Sequence, residues 1–201
     1  MSEPLLATAG IASGVVNTIG LIPYIRDIFL HKTKPERATW WVWFVLAVLA
    51  LYAQWQAGAT WSLGITVANI LGCGLIAVLS LKYGYGKFHA RDTISLVAAG
   101  VGVGIAHYIQ SPLFALLIIV GVDLAGFWLT LYKSWVAPHT ETLVSWVLAV
   151  VASALALAAV GDWNLARLIY PLYLFAGNIL LVVLIIYRRK AVPPQSATIA
   201  V

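Results

Sequence analysis

The sequence predicts an all-α membrane protein of seven transmembrane helices, arranged 3+1+3 as two parallel triple-helix repeats. Three observations predict it. Hydrophobic residues make up 62% of the 201 positions and charged residues only 9%, whereas about a quarter of the residues in an ordinary soluble domain are charged. The apolar positions gather in runs long enough to cross about 30 Å of hydrocarbon; they do not alternate as barrel strands would, so helices are the spanning element. The basic residues fall in every second loop, as expected of cytoplasmic loops.

In chain order the runs extend from Leu5 to Phe29, Thr39 to Gln54, Ser62 to Leu81, Thr93 to Ile109, Pro112 to Leu131, Thr142 to Val160 and Leu165 to Tyr187. Lys32, Lys34 and Arg37 follow the first span, Lys82, Lys87 and Arg91 the third, Lys133 the fifth, and Arg188, Arg189 and Lys190 the seventh. The other three loops hold one basic residue, Arg167. The positive-inside rule then predicts an outside N-terminus and a cytoplasmic C-terminus, and an odd number of spans. The formal charge of +5 thus reflects loops, not a nucleic-acid surface. Glu3 stands where a signal peptide would be basic, so no cleavable signal is expected. A single cysteine, Cys73, allows no intramolecular disulfide. Trp40, Trp41, Trp55, Trp61, Trp135 and Trp163 fall near expected interfaces, as an aromatic belt would.

Sliding the chain by 103 positions superposes Leu21 on Leu124, Pro35 on Pro138, Thr39 on Thr142, Trp43 on Trp146, Val48 on Val151, Ala53 on Ala156 and Gly58 on Gly161. The proline, threonine, tryptophan and glycine of this echo stand at span boundaries, which marks an internal repeat. The expected organisation is a first triple-helix repeat over 1–88, a linker helix over 89–110 carrying Gly100, Gly102 and Gly104 as packing positions, a second repeat over 111–190, and a disordered cytoplasmic tail over 191–201. A single joining helix gives both triplets the same orientation, related by an axis along the membrane normal.

Asp123 is the sharpest candidate, a carboxyl about midway along the fifth span. An aspartate there costs roughly 2.5–3.5 kcal/mol on insertion scales, so it should face the bundle interior. Desolvation disfavours its charged form, which makes it the proton-coupling candidate, against the plainer reading of a structural aspartate bonded to a neighbouring helix. Asn69 and Asn178, at related depths in the two repeats, are substrate-binding candidates, joined by Asn17 in span one and Tyr52 at the outer end of span two. Asparagine also serves as interhelical glue, worth about 0.6–2 kcal/mol. Pro23 and Pro171 each remove a helical hydrogen bond and are hinge candidates, with Gly126 at the position matching Pro23. Arg26 and Asp27, near the cytoplasmic end of span one, are explained by snorkelling and local pairing. No catalytic set, metal cluster or phosphate loop is present in the sequence, and no mid-span lysine in helix seven supports a retinal. The chain is therefore not expected to be an enzyme or to carry a cofactor or metal.

Two triple-helix units, one joining helix, an outside N-terminus and a proline late in the first helix resemble the PQ-loop and SWEET group of transporters, in a divergent bacterial-type form. The dipeptide that names the group reads Pro23-Tyr24 here and Gly126-Phe127 in the second repeat. Asn69, preceded by Ala68, is similar to the third-helix asparagine that contacts sugar in SWEETs, and Asn178 aligns with it after an insertion of about six residues. Asp123-Leu-Ala-Gly126 resembles the Asp-x-x-Gly start of the second motif in proton-coupled members. The resemblance implies a carrier moving a small polar solute, such as a sugar or amino acid, by alternating access, with protons as coupling ion. It places the chain in a bacterial inner (plasma) membrane, with the lipid bilayer and solute as partners, no nucleic acid, and a homo-oligomer as an option. A receptor or scaffold of the same fold, like the KDEL receptor, is the alternative from another class, and would pack Asn69, Asn178 and Asp123 dry. A vitamin or nucleoside carrier of PnuC type is a further variant, expected to line its pocket with aromatic rings.

Overall fold

In the computed structural model, residues 2–87 and 90–193 are described, the side chains of 91, 92, 95 and 96 excepted. Seven α-helices are found among them: α1 (Glu3–Phe29), α2 (Arg37–Gln56), α3 (Leu63–Tyr83), α4 (Ala90–Tyr108), α5 (Pro112–Val136), α6 (Leu143–Ala158) and α7 (Leu165–Ala191), with a single 3₁₀ turn over Pro138–Thr140. Each matches an apolar run within a few residues. Five of them, α1, α2, α3, α5 and α7, are long and apolar enough to cross a membrane. The chain is an all-helical membrane protein, with large apolar side chains such as Ile22, Leu71, Ile94 and Trp128 exposed around its outside. At 16 residues, α6 extends for about 24 Å, less than the others. Residues 194–201, most of the expected tail, lie outside the described residues.

The helix ends follow from local chemistry. Pro112 opens α5 behind Ser111, whose hydroxyl accepts the Phe114 N–H at 3.4 Å. Asn164 caps α7 by accepting the Arg167 N–H at 3.0 Å, and the Glu36 carboxylate caps α2 at the Thr39 N–H, 2.7 Å away. At the C-terminus of α2, Gly58 takes φ +77°. Its N–H bonds the Trp55 carbonyl and that of Ala59 the Gln54 carbonyl, the paired bonds of a Schellman cap. Glycine adopts this left-handed backbone without a Cβ penalty.

Helix packing runs in a closed ring. α1 touches α3, α3 touches α2, α2 touches α5, α5 touches α7, α7 touches α6, and α6 returns to α1. Two slighter contacts cross it, α3 with α6 and α2 with α7, while α4 stands outside against α5 and α2. α1 and α3 approach closely: a Cβ on Gly64 would collide with the Gly10 carbonyl, and one on Gly10 with the carbonyl of Trp61 just before α3. The expected packing glycines of α4 behave unequally. Gly102 lies under Ile118, but Gly100 and Gly104 have no neighbour within 4 Å.

Side-chain bonds fix which helix ends meet. At one end, Thr142 donates to Asp27 at 3.0 Å and pairs with Thr33 at 2.6 Å, Arg37 reaches the Ser80 carbonyl at 3.1 Å, and Arg189 the Pro138 carbonyl at 3.2 Å. At the other, the Trp61 indole donates to Glu3 at 2.8 Å and Arg167 to the Ala57 carbonyl at 3.0 Å. Consecutive helices therefore run up and down, and the lysine- and arginine-bearing loops collect at one end.

Candidate functional site

At the centre of the ring lies a cavity with about 940 Å³ of space not filled by atoms, open solvent at its edge included. α1, α2, α3, α5, α6 and α7 all contribute to it, and no α4 residue does. Asp123, Asn69, Asn178 and Asn17, read from the sequence as separate candidates, all line it.

Tyr52 does not. It stands nine positions beyond Trp43 on α2, and at about 100° per residue that is the opposite face of the helix. It pairs with His107 at 2.6 Å and borders a second pocket between α2, α4 and α5.

Asp123 is 5% exposed, and its Oδ1 accepts no hydrogen bond. The Tyr173 hydroxyl and the Trp43 indole are the potential donors nearest the carboxyl group. The Asn17 amide donates to Asn69 Oδ1 at 2.8 Å, one bond across the α1–α3 contact that leaves Asn17 Oδ1 and Asn69 Nδ2 open, while Asn178 is half-buried. Pro23 and Pro171 lie inside helices that run unbroken. Space beside Gly126 is modest: a Cβ there would sit 3.6 Å from Val42 Cγ1.

The aromatic wall was missed from the sequence. Trp40, expected in an interfacial belt, is instead 8% exposed in the core. Its ring centroid lies 5.1 Å from Tyr24 and 5.2 Å from Trp43; Trp146 stands 6.1 Å from Trp43, and Phe127 6.5 Å. All five rings line the cavity. Trp55 and Trp163, by contrast, are exposed. The signal that could have found the wall is the repeat itself: Trp43 and Trp146 are superposed by the 103-residue offset, and in space they meet.

Behind this wall, toward the basic end, lies a buried ion pair. Lys133 Nζ donates to Glu141 Oε1 at 2.7 Å, with side chains 9% and 2% exposed. It also reaches the Lys34 carbonyl. The other Glu141 oxygen accepts the Trp146 indole N–H at 3.0 Å, so one carboxylate ties the α5–α6 corner to the cavity wall. Arg26 and Asp27 separate in role: Arg26 is exposed, whereas Asp27 joins Thr142 and, through it, Thr33.

Compared with family models, with curated proteins and with solved structures, the chain finds no match in any of the three.

Proposed function

We propose that the chain is a membrane carrier that moves a small polar solute through this cavity by alternating access of two triple-helix units, with Asp123 coupling the movement to protons. The observation that carries the reading is a buried carboxyl oxygen without a partner, in a central cavity that Asn69 and Asn178 also line. A receptor or scaffold would gain nothing from leaving that oxygen unpaired, since an unsatisfied buried acceptor costs about 1–3 kcal/mol.

Two features support the 3+1+3 arrangement. Exchanging α1 with α5, α2 with α6 and α3 with α7 turns every contact among these six helices into another contact that also occurs. The cavity-lining residues pair in the same way: Gly20 with Asp123, Tyr24 with Phe127, Trp43 with Trp146 and Leu46 with Ala149 at an offset of 103, then Ile65 with Leu174 and Asn69 with Asn178 at 109. On this reading the basic end is cytoplasmic, in a bacterial inner membrane, and α4 and α6 span it with the five longer helices. The aromatic wall favours a vitamin- or nucleoside-like solute of the PnuC type over a sugar.

The test is solute uptake into proteoliposomes with and without an imposed proton gradient. Asn69→Ala should weaken solute binding more than it weakens folding. Asp123→Asn should abolish the response to the gradient. Full gradient response in Asp123→Asn would make the aspartate structural.

A further inference from the structure

We propose that the solute is a monovalent organic cation, held at the Asp123 carboxylate within the aromatic wall and exchanged there for a proton. This rests on the carrier reading and narrows it to a class of solute.

Charge is the first consideration. Asp123 is the one acidic residue lining the cavity, and no lysine, arginine or histidine lines it. The basic side chains of the surrounding helices are engaged or remote. Lys133 is paired with Glu141, Arg167 bonds the Ala57 carbonyl and lies 3.3 Å from Asp162, and Arg26 is exposed at the end of α1. Among the described side chains no cation is placed to neutralise Asp123. The titratable groups facing it are all neutral acids, Tyr24 from α1, Cys73 from α3, and Tyr170 and Tyr173 from α7; α2 and α6 contribute only Trp40, Trp43, Ser145 and Trp146 of polar or aromatic type.

Polar capacity is the second. A neutral polyhydroxylated solute needs several free hydrogen-bonding groups, because each of its own polar groups left unpaired on burial is costly. Here one bond joins the Asn17 amide N–H to Asn69 Oδ1, so Asn17 Oδ1, Asn69 Nδ2 and Asn178 are the amide groups left to a solute. What the cavity offers in quantity is the faces and edges of Tyr24, Trp40, Trp43, Phe127 and Trp146, and desolvated aromatic faces attract a cationic head by about 2 kcal/mol or more.

The exchange follows from the cost of an unpaired buried charge. An empty cavity with a bare carboxylate is the state to be avoided while the units rearrange. Two fillings neutralise it, one proton on the carboxyl oxygen or one cation beside it. The loaded carrier is then electrically the same with either, so one cation moves one way for each proton moving the other, and no net charge crosses.

The experiment uses the purified full chain and two matched pairs of probes, choline with its uncharged carbon analogue 3,3-dimethylbutan-1-ol, and benzyltrimethylammonium with neopentylbenzene. Binding is read from the fluorescence of the cavity tryptophans and from the thermal midpoint. Near pH 8 each cation should bind about tenfold or more tightly than its isostere, and near pH 5.5 that preference should fall as protons compete for the carboxylate. Asp123→Asn should abolish it. Should that variant fail to fold, the pH arm on the unaltered protein decides alone. Equal binding of cation and isostere, or a cation preference indifferent to pH and to Asp123→Asn, overturns the proposal. If the cations fail while a neutral sugar or amino acid protects the protein, the carrier reading stands and the cation falls. If neither class binds, both fall.

Discussion

Glu141→Gln should be among the most destabilising conservative changes in this chain. The substitution keeps the volume and leaves an acceptor for the Trp146 indole, so what it removes is charge. At 2.7 Å the gross attraction between Lys133 and Glu141 is about 6 kcal/mol at an effective dielectric of ~20, most of it offset by desolvation of the two ions. Removing one partner leaves that desolvation uncompensated, which costs about 3–5 kcal/mol. At about 2–4 °C per kcal/mol for a chain of this size, the thermal midpoint in detergent should fall by about 6–20 °C. The carbonyls of Lys34 and Thr140 still accept from Lys133, which favours the lower half of that range. Lys133→Met should be milder, because Arg189, which bonds the Glu141 backbone carbonyl at 2.5 Å, remains as a neighbouring positive charge. The double variant should recover to within about 2 kcal/mol of the parent, since both ions are gone. A loss below about 1 kcal/mol for Glu141→Gln, or strict additivity in the double variant, would refute the view that a buried pair holds this end of the bundle together.

Gly10→Ala should force α1 and α3 apart where its Cβ meets the Trp61 carbonyl, at a cost of about 1–3 kcal/mol; an unchanged thermal midpoint would count against that close approach. Cysteines placed at the exposed positions Lys32 and Lys87 should be labelled only from the cytoplasmic side, and those at Thr60 and Asp162 only from outside. Labelling of Lys87 and Asp162 sites from one face would remove one of the three helices between them, α4 or α6, as a span. Cys73, buried on the cavity wall, should react with methyl methanethiosulfonate in the native protein, and more slowly with solute bound. Reaction only after denaturation would show that the cavity does not admit a small reagent.

The helices were legible because hydropathy over some twenty residues is a strong, local signal, and all seven lie within a few residues of their apolar runs. The cavity was half legible. Asp123, Asn17, Asn69 and Asn178 stood out because a polar group in hydrocarbon is costly wherever it points, so each had to face inward. Trp40 and Trp43 carried no such signal. A tryptophan near a helix end suits an interface as well as a core, and only the rotation of α2 about its axis, set by packing against α3 and α5, turns both rings to the centre. Tyr52 failed for the same reason in reverse, since nine residues along α2 bring a side chain to the opposite face. The Lys133–Glu141 pair was hidden because both residues sit in what reads as a loop, where a charge is ordinarily solvated.

The two halves of the ring are alike in frame and unlike in content, and the difference bears on mechanism. Trp43 and Trp146, superposed by the 103-residue offset, meet across the centre, and Asn69 and Asn178 both line it. Asp123, however, is matched at the 103-residue offset by Gly20, where a Cβ would come within 3.2 Å of Leu148 and require it to give way. Glu141 has its own asymmetry: the residue 103 positions earlier, Ala38, has neither charge nor acceptor. On the carrier reading proposed above, a duplicated frame would let two similar units rock against each other, and a single carboxylate would fix one charge per cycle. The ion pair behind Trp146 places a polar clasp at one end of the cavity. Movement of Trp146 on solute binding would then be felt at Glu141 directly, through the hydrogen bond that joins them. That path requires no chain of intermediates, since the indole that lines the cavity is itself the donor to the clasp.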